Sequence, residues 1–249
     1  MKKVLSFLAI AAMVCMVSCG QKDDPNKPHH GGEDEPEYEA PIAVDGDAAD
    51  WAKLDASKVQ SCSLQAADTW AYPEIKSAKV YADELFVYVY MEFNKEVLGI
   101  SEEPSHFALY IDGDNSNATG GYSGQWMFAD DKPSIDILVM GTYHDGTDYV
   151  SALDCEVYNW TGEVNADGWS WGDVEVTGFA EGACTSKGIE FALARDLYPA
   201  GKWAEEFGIG FQLQTSGWDA TGALPNGVPS DDDSNPSGKA PLLTVKVNK

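Results

Sequence analysis

The chain has 249 residues, and its 41 acidic against 16 basic side chains give a formal net charge of −25. Nucleic acids are polyanions bound through basic patches, so this balance excludes a nucleic-acid partner. Such acidity keeps a chain soluble and suits divalent cations, although most of these acids read as solvated surface charge.

Met1-Lys2-Lys3 makes a positive start, and residues 4–17 form an apolar run. That run is shorter than the ~20 residues a helix needs to cross a hydrocarbon core of ~30 Å. A charged start, a short apolar core and a small residue before the cut describe a secretory signal over residues 1–18. Met16-Val17-Ser18-Cys19-Gly20 resembles a bacterial lipobox, in which the cysteine is lipidated and becomes the new N-terminus. The resemblance implies palmitate-type acylation of Cys19 with two or three chains, enough for stable anchoring where one chain binds only marginally. Gln21-Lys22-Asp23-Asp24 resembles the export signal of Bacteroidota surface lipoproteins, which implies the outer face of the outer membrane. Residues 20–41, rich in Asp, Glu, Pro, Gly and His, cannot bury enough apolar surface to fold and read as a flexible stalk. His29-His30 belongs to that stalk rather than to a metal site.

Residues 42–249 read as one domain in which strand signals dominate. Residues 78–93 give two β-rich runs around a turn at Asp83-Glu84, the second too densely apolar for clean alternation and so buried on both faces. Further strands are expected at 106–111 and 134–143. A hairpin turn follows at His144-Asp145-Gly146-Thr147, with residues 149–158 returning from it. A second hairpin is expected through residues 164–168 into Trp169-Ser170-Trp171. Residues 173–180, 187–193, 208–215 and 242–247 complete the strands. Only short helices are plausible, at 194–197 and 202–206. The Gly/Pro/Asp-rich segment 216–241 is expected to be a long structureless loop. Nine or ten short strands separated by Gly/Asp/Asn turns predict an all-β sandwich or barrel.

Val44-Asp45-Gly46-Asp47-Ala48-Ala49-Asp50-Trp51, residues 81–89, Leu109-Tyr110-Ile111-Asp112-Gly113-Asp114-Asn115 and Gly188-Ile189-Glu190-Phe191-Ala192-Leu193 follow one another in order. This succession resembles the family 9 carbohydrate-binding modules and the related DOMON-like sandwiches, over most of residues 42–247. The resemblance implies an immunoglobulin-like or jelly-roll β-sandwich, often calcium-bearing, that binds sugars and in some branches haem. Read from the residues themselves, Asp45-Gly46 makes a tight turn and Trp51 buries a large ring at the edge of the core, a fold signature rather than a ligand contact.

Asp112, Asp114, Asn115, Asn117 and, from the next strand, Asp136 are the candidate ligands of a Ca²⁺ ion, which takes six to eight oxygens from carboxylates, amides and carbonyls. The loop is no EF-hand: counted from Asp112, Asn117 occupies the sixth position where that motif needs Gly, and Ser123 the twelfth where it needs an acid. An Asx-rich turn held by its own side chains is the alternative. Sugars present apolar C–H faces that stack on aromatic rings. Trp126, Trp160, Trp169, Trp171 and Trp218 are the candidate ligand-binding residues, with Trp169 and Trp171 expected on one face of a strand. No Gly-x-Ser-x-Gly, His-Glu-x-x-His or phosphate-loop motif occurs, so a non-catalytic module is expected. Met91, Met127 and Met140 could serve haem but are better explained by the core. Cys62, Cys155 and Cys184 allow one disulfide, Cys155–Cys184, or three buried thiols. The sequence thus predicts a glycan-binding surface lipoprotein, with a structural or protein-binding module of the same fold as the alternative.

Overall fold

The computed structural model describes residues 38–65, 70–122, 128, 133–164, 169–198, 203–227 and 239–249. Residues 1–37, which include the expected signal segment, Cys19 and most of the expected stalk, lie outside the described residues, as do Trp126 and residues 165–168 of the second expected hairpin. The chain divides into two units, Met1–Glu39 and Ala40–Lys249, and the fold below is that of the second.

The unit is all-β, as the sequence predicts. Its strands are β1 (Gln60–Ser63), β2 (Ile75–Ala82), β3 (Phe86–Phe93), β4 (Ser105–Asp112), β5 (Gly121–Tyr122), β6 (Pro133–Ile135), β7 (Ile137–His144), β8 (Leu153–Trp160), β9 (Val174–Thr185), β10 (Gly188–Ala194), β11 (Glu206–Gln214), β12 (Ala220–Leu224) and β13 (Leu243–Lys246). Ten of them form one antiparallel path, β1-β2-β3-β10-β9-β8-β7-β4-β11-β12, with β13 also paired to β11. Strands β5 and β6 form a separate two-stranded sheet. The long sheet curls until its ends meet. Pro73 bridges Gly222, Ala82 bridges Val247, and Ala223 N–H donates to Tyr72 O at 3.1 Å. The result is a flattened barrel in which opposite walls share one core, and Phe107 of β4 stacks on Phe191 of β10 across it at 5.9 Å.

Side-chain alternation divides each strand between that core and an outer layer. On β3, Val87, Val89, Met91 and Phe93 enter the main core, while Tyr88 and Tyr90 point outward and are still buried, packed against Ile42 and Trp51. That double burial explains why this strand reads as a continuous apolar run. On β4, Phe107, Leu109 and Ile111 point inward, and Ala108 and Tyr110 join an outer cluster with Phe128, Ile135 and Leu138.

Glu190, outward on β10 and fully buried, fixes the segment that covers β3. Its Oε2 accepts from Asp45 N and Gly46 N at 2.9 Å each, and its Oε1 accepts from Trp51 Nε1 at 2.7 Å. Burial pushes the Glu190 carboxyl above its ordinary value, and the three N–H donors oppose that shift. Gly46 adopts φ 78°, and a Cβ there would lie 2.8 Å from the Thr185 methyl group, so glycine is required for this approach.

Several expected elements differ. The segment 216–241 is not structureless: Ala220–Leu224 pairs with β11 and helps to close the barrel. The strand expected at 134–143 breaks at Asp136 into β6 and β7, because Asp136 turns toward the loop after β4. The return strand begins at Leu153 rather than Tyr149. The expected short helices reduce to a 3-10 turn at Arg195–Leu197, and Glu206 instead opens β11. Cys155 and Cys184 are free thiols, as is Cys62. Cys155 sits opposite Ala180, and Cys184 lies four residues further along β9. At ~3.3 Å per residue that separation is roughly 13 Å, beyond the ~7 Å a disulfide spans. Burial pushes all three thiols up to about 12, so they behave as small core residues.

Replacing Glu190 by Gln keeps the shape but turns an amide N–H₂ toward one of the three donors. An orphaned buried donor costs about 1–3 kcal/mol. Glu190→Gln is therefore expected to lower stability by about that amount in denaturant unfolding, and unchanged stability would remove Glu190 from this role.

Candidate functional site

A groove of about 980 Å³ lies on the outer face of the wall formed by β8, β7, β4 and β11. The register builds its floor. On this face His106, Ala108 and Tyr110 of β4 stand opposite Thr142, Met140 and Leu138 of β7 on one side. On the other side they stand opposite Gln214, Gln212 and Gly210 of β11. Glu156 and Tyr158 of β8 continue the row beyond Met140 and Leu138, and Phe179 of β9 lies beyond Glu156. Sites for small ligands occupy about 300–1,000 Å³, so the groove is of the size such a site has.

Aromatic rings rim the floor. Trp171, Trp218 and Phe179 are 59%, 54% and 62% exposed, high values for such large apolar side chains. Trp171 packs edge-on against Tyr158 at 5.4 Å and against Trp169 at 6.3 Å, and Trp169 leans on Trp160 at 4.9 Å. Trp160 and Trp169 are half-buried and brace the exposed ring. Trp169 and Trp171 do not alternate on a strand as expected. Trp171 opens the 3-10 turn Trp171–Asp173, and the two rings meet through that turn. Trp218 stacks flat on His106, with ring centres 4.3 Å apart and planes at 10°. It sits in a left-handed conformation, φ 68°, which is costly for a bulky residue. The Thr215 side chain and backbone fix that turn, Oγ1 accepting from Gly217 N and Asp219 N, and the carbonyl from Trp218 N.

The polar part of the floor is an amide network. Tyr110 OH donates to Gln212 Oε1 at 2.8 Å, and Gln214 Nε2 donates to the same oxygen at 2.7 Å. Burial pushes the Tyr110 phenol upward, so it stays a donor. Gln214, 7% exposed, leaves its Oε1 without a hydrogen-bond partner. Asp154, Glu156 and Asp219 add exposed carboxylates, and Tyr158 OH donates to Glu156. Burial lowers the His106 imidazole below its ordinary value, favouring the neutral ring.

Four of the five expected tryptophans therefore meet at or behind this groove, and the fifth, Trp126, lies outside the described residues. Reading the sequence alone misses His106, Tyr158, Phe179, Gln212 and Gln214. The i, i+2 spacing of Gln212 and Gln214 in an otherwise apolar strand is the signal that marks them.

The loop after β4 is a second feature. Asp112, Asp114 and Asp136 each bring a carboxylate oxygen within 4.8 Å of the others, with Asp112 and Asp136 buried. Asp136 Oδ2 accepts from Gly113 N at 2.9 Å and Asp114 N at 3.3 Å. Asp112 Oδ1 accepts from Ser116 N, and Thr119 Oγ1 donates to Asp114. Burial, then the neighbouring Asp114 and Asp112 charges, push the Asp136 carboxyl up to about 7. Of the five expected calcium ligands these three converge. Asn115 and Asn117 are exposed, with Asn115 at φ 54° shaping the turn.

Comparisons with protein-family models, with curated proteins and with solved structures find no match to this chain. The likeness to family 9 carbohydrate-binding modules and DOMON-like sandwiches rests on the quoted motifs alone.

Proposed function

We propose that this protein is a non-catalytic glycan-binding module, presented at the outer surface of an outer membrane by a lipid on Cys19 and the stalk that follows. The observation that carries the binding reading is the pair of exposed rings, Trp171 and Trp218, flanking a floor of amides and carboxylates. Indole faces stack on the C–H faces of pyranose rings, and the polar floor orients the hydroxyls. A module without a sugar site would be expected to bury its tryptophans, and two here stand in solvent. Non-catalytic capture fits the same geometry. A glycosidase acid sits where burial raises its pKa, whereas Asp154, Glu156 and Asp219 are all exposed.

Glycan arrays and quenching of tryptophan fluorescence test this reading, and no response to any glycan would end it. Trp171→Ala and Trp218→Ala are each expected to weaken binding about tenfold, or about 1.4 kcal/mol. Trp218→Gly is expected to lose affinity equally while keeping its melting temperature, because glycine takes φ 68° without strain.

Calcium at Asp112, Asp114 and Asp136 is part of this proposal, as a brace for the loop between β4 and the small sheet. Three converging carboxylates are hard oxygen donors of the kind Ca²⁺ takes, and a cation would relieve their mutual repulsion. Calorimetric titration of metal-stripped protein with Ca²⁺ is expected to release or absorb heat and to raise the melting temperature, with both effects lost in Asp136→Asn. An absence of heat and of stabilisation in the parent protein would refute it.

A further inference from the structure

The groove's charged groups are one-sided. Asp154, Glu156 and Asp219 present exposed carboxyl groups, which as carboxylates only accept hydrogen bonds. Gln214 adds a buried carbonyl oxygen without a partner, while its Nε2 already donates to Gln212 Oε1 and Tyr110 OH. Among the described residues no lysine or arginine lines the groove, and the whole chain is strongly acidic. His106, the lining group able to carry a positive charge, is tilted toward its neutral form by burial and covered by Trp218. An anionic ligand would therefore meet like charge with no lysine or arginine among the described lining residues to offset it, and exposed charges act on one another over a screening length of about 10 Å at 0.1 M salt. A ligand rich in hydroxyl groups supplies the donors that these acceptors lack, and its C–H faces suit the exposed indoles.

We infer that the groove selects an uncharged, hydroxyl-presenting glycan and rejects polysaccharides that carry sulfate or uronate groups. This inference rests on the glycan-binding reading and narrows it to one chemical class. Its physical signature is affinity that scarcely changes with salt, because stacking and neutral hydrogen bonds carry it.

Affinity gel electrophoresis and biolayer interferometry of the full chain test the selection. The probes are neutral polysaccharides (β-glucan, mannan, galactan, xylan), anionic ones (alginate, pectate, dextran sulfate) and cationic chitosan. Binding is expected only in the neutral set, with affinity changing less than about threefold between about 0.05 and 0.5 M NaCl. Trp171→Ala should weaken the same hits about tenfold, which places them in the groove. Binding to an anionic polymer, or a salt-resistant preference for chitosan, overturns the selection and leaves the glycan-binding reading standing. Silence across the whole panel overturns the glycan-binding reading and this selection with it.

Discussion

The Glu190 carboxylate, fully buried on β10, accepts from Asp45 N, Gly46 N and the Trp51 indole. A buried acid is costly unless its oxygens are satisfied, and here three donors from one short segment satisfy it. In return the segment is pinned over Tyr88 and Tyr90, which seals the outer face of β3 and β10. That wall is thereby committed to structure, with an apolar layer on each side. Among the described residues, the opposite wall has no such cover over its full area. Phe128 and Ile135 close only part of it, and the remainder is the groove.

The strand content was legible because its signals are local. Alternation, dense β-branched and aromatic runs, and Asp-Gly turns each act over a few residues. What escaped depends on partners distant in sequence. Strand β12 is Ala-Thr-Gly-Ala-Leu within a Gly/Pro/Asp-rich stretch, and it is a strand because β11 lies on one side and residues 72–74 on the other. Tryptophans 169 and 171 lack any strand pairing between them and meet through a 3-10 turn that their spacing does not reveal. The Glu190 clamp was half visible, since both of its ends belong to the motifs that suggested a family, but nothing local says that they touch.

The site was legible in composition more than in geometry. An excess of tryptophan in turns pointed to a platform, and the polar residues beneath it, Gln212 and Gln214, were hidden inside a strand that reads as core. The acidic loop was the reverse case. Asp112 and Asp114 are obvious in sequence, and Asp136 joins them because β6 ends where its side chain can accept from Gly113 and Asp114.

The clamp and the groove lie on opposite walls of the barrel, since inward residues of β3 and β4 meet in one core and Phe107 touches Phe191 across it. The Asp45–Trp51 segment therefore covers the wall away from the groove. For a molecule tethered by its N-terminus, pulling tension would enter through the Asp45–Trp51 segment and be borne by the Glu190 hydrogen bonds. The exposed rings around the groove take no part in those hydrogen bonds, so the wall that carries them would stand clear of that load.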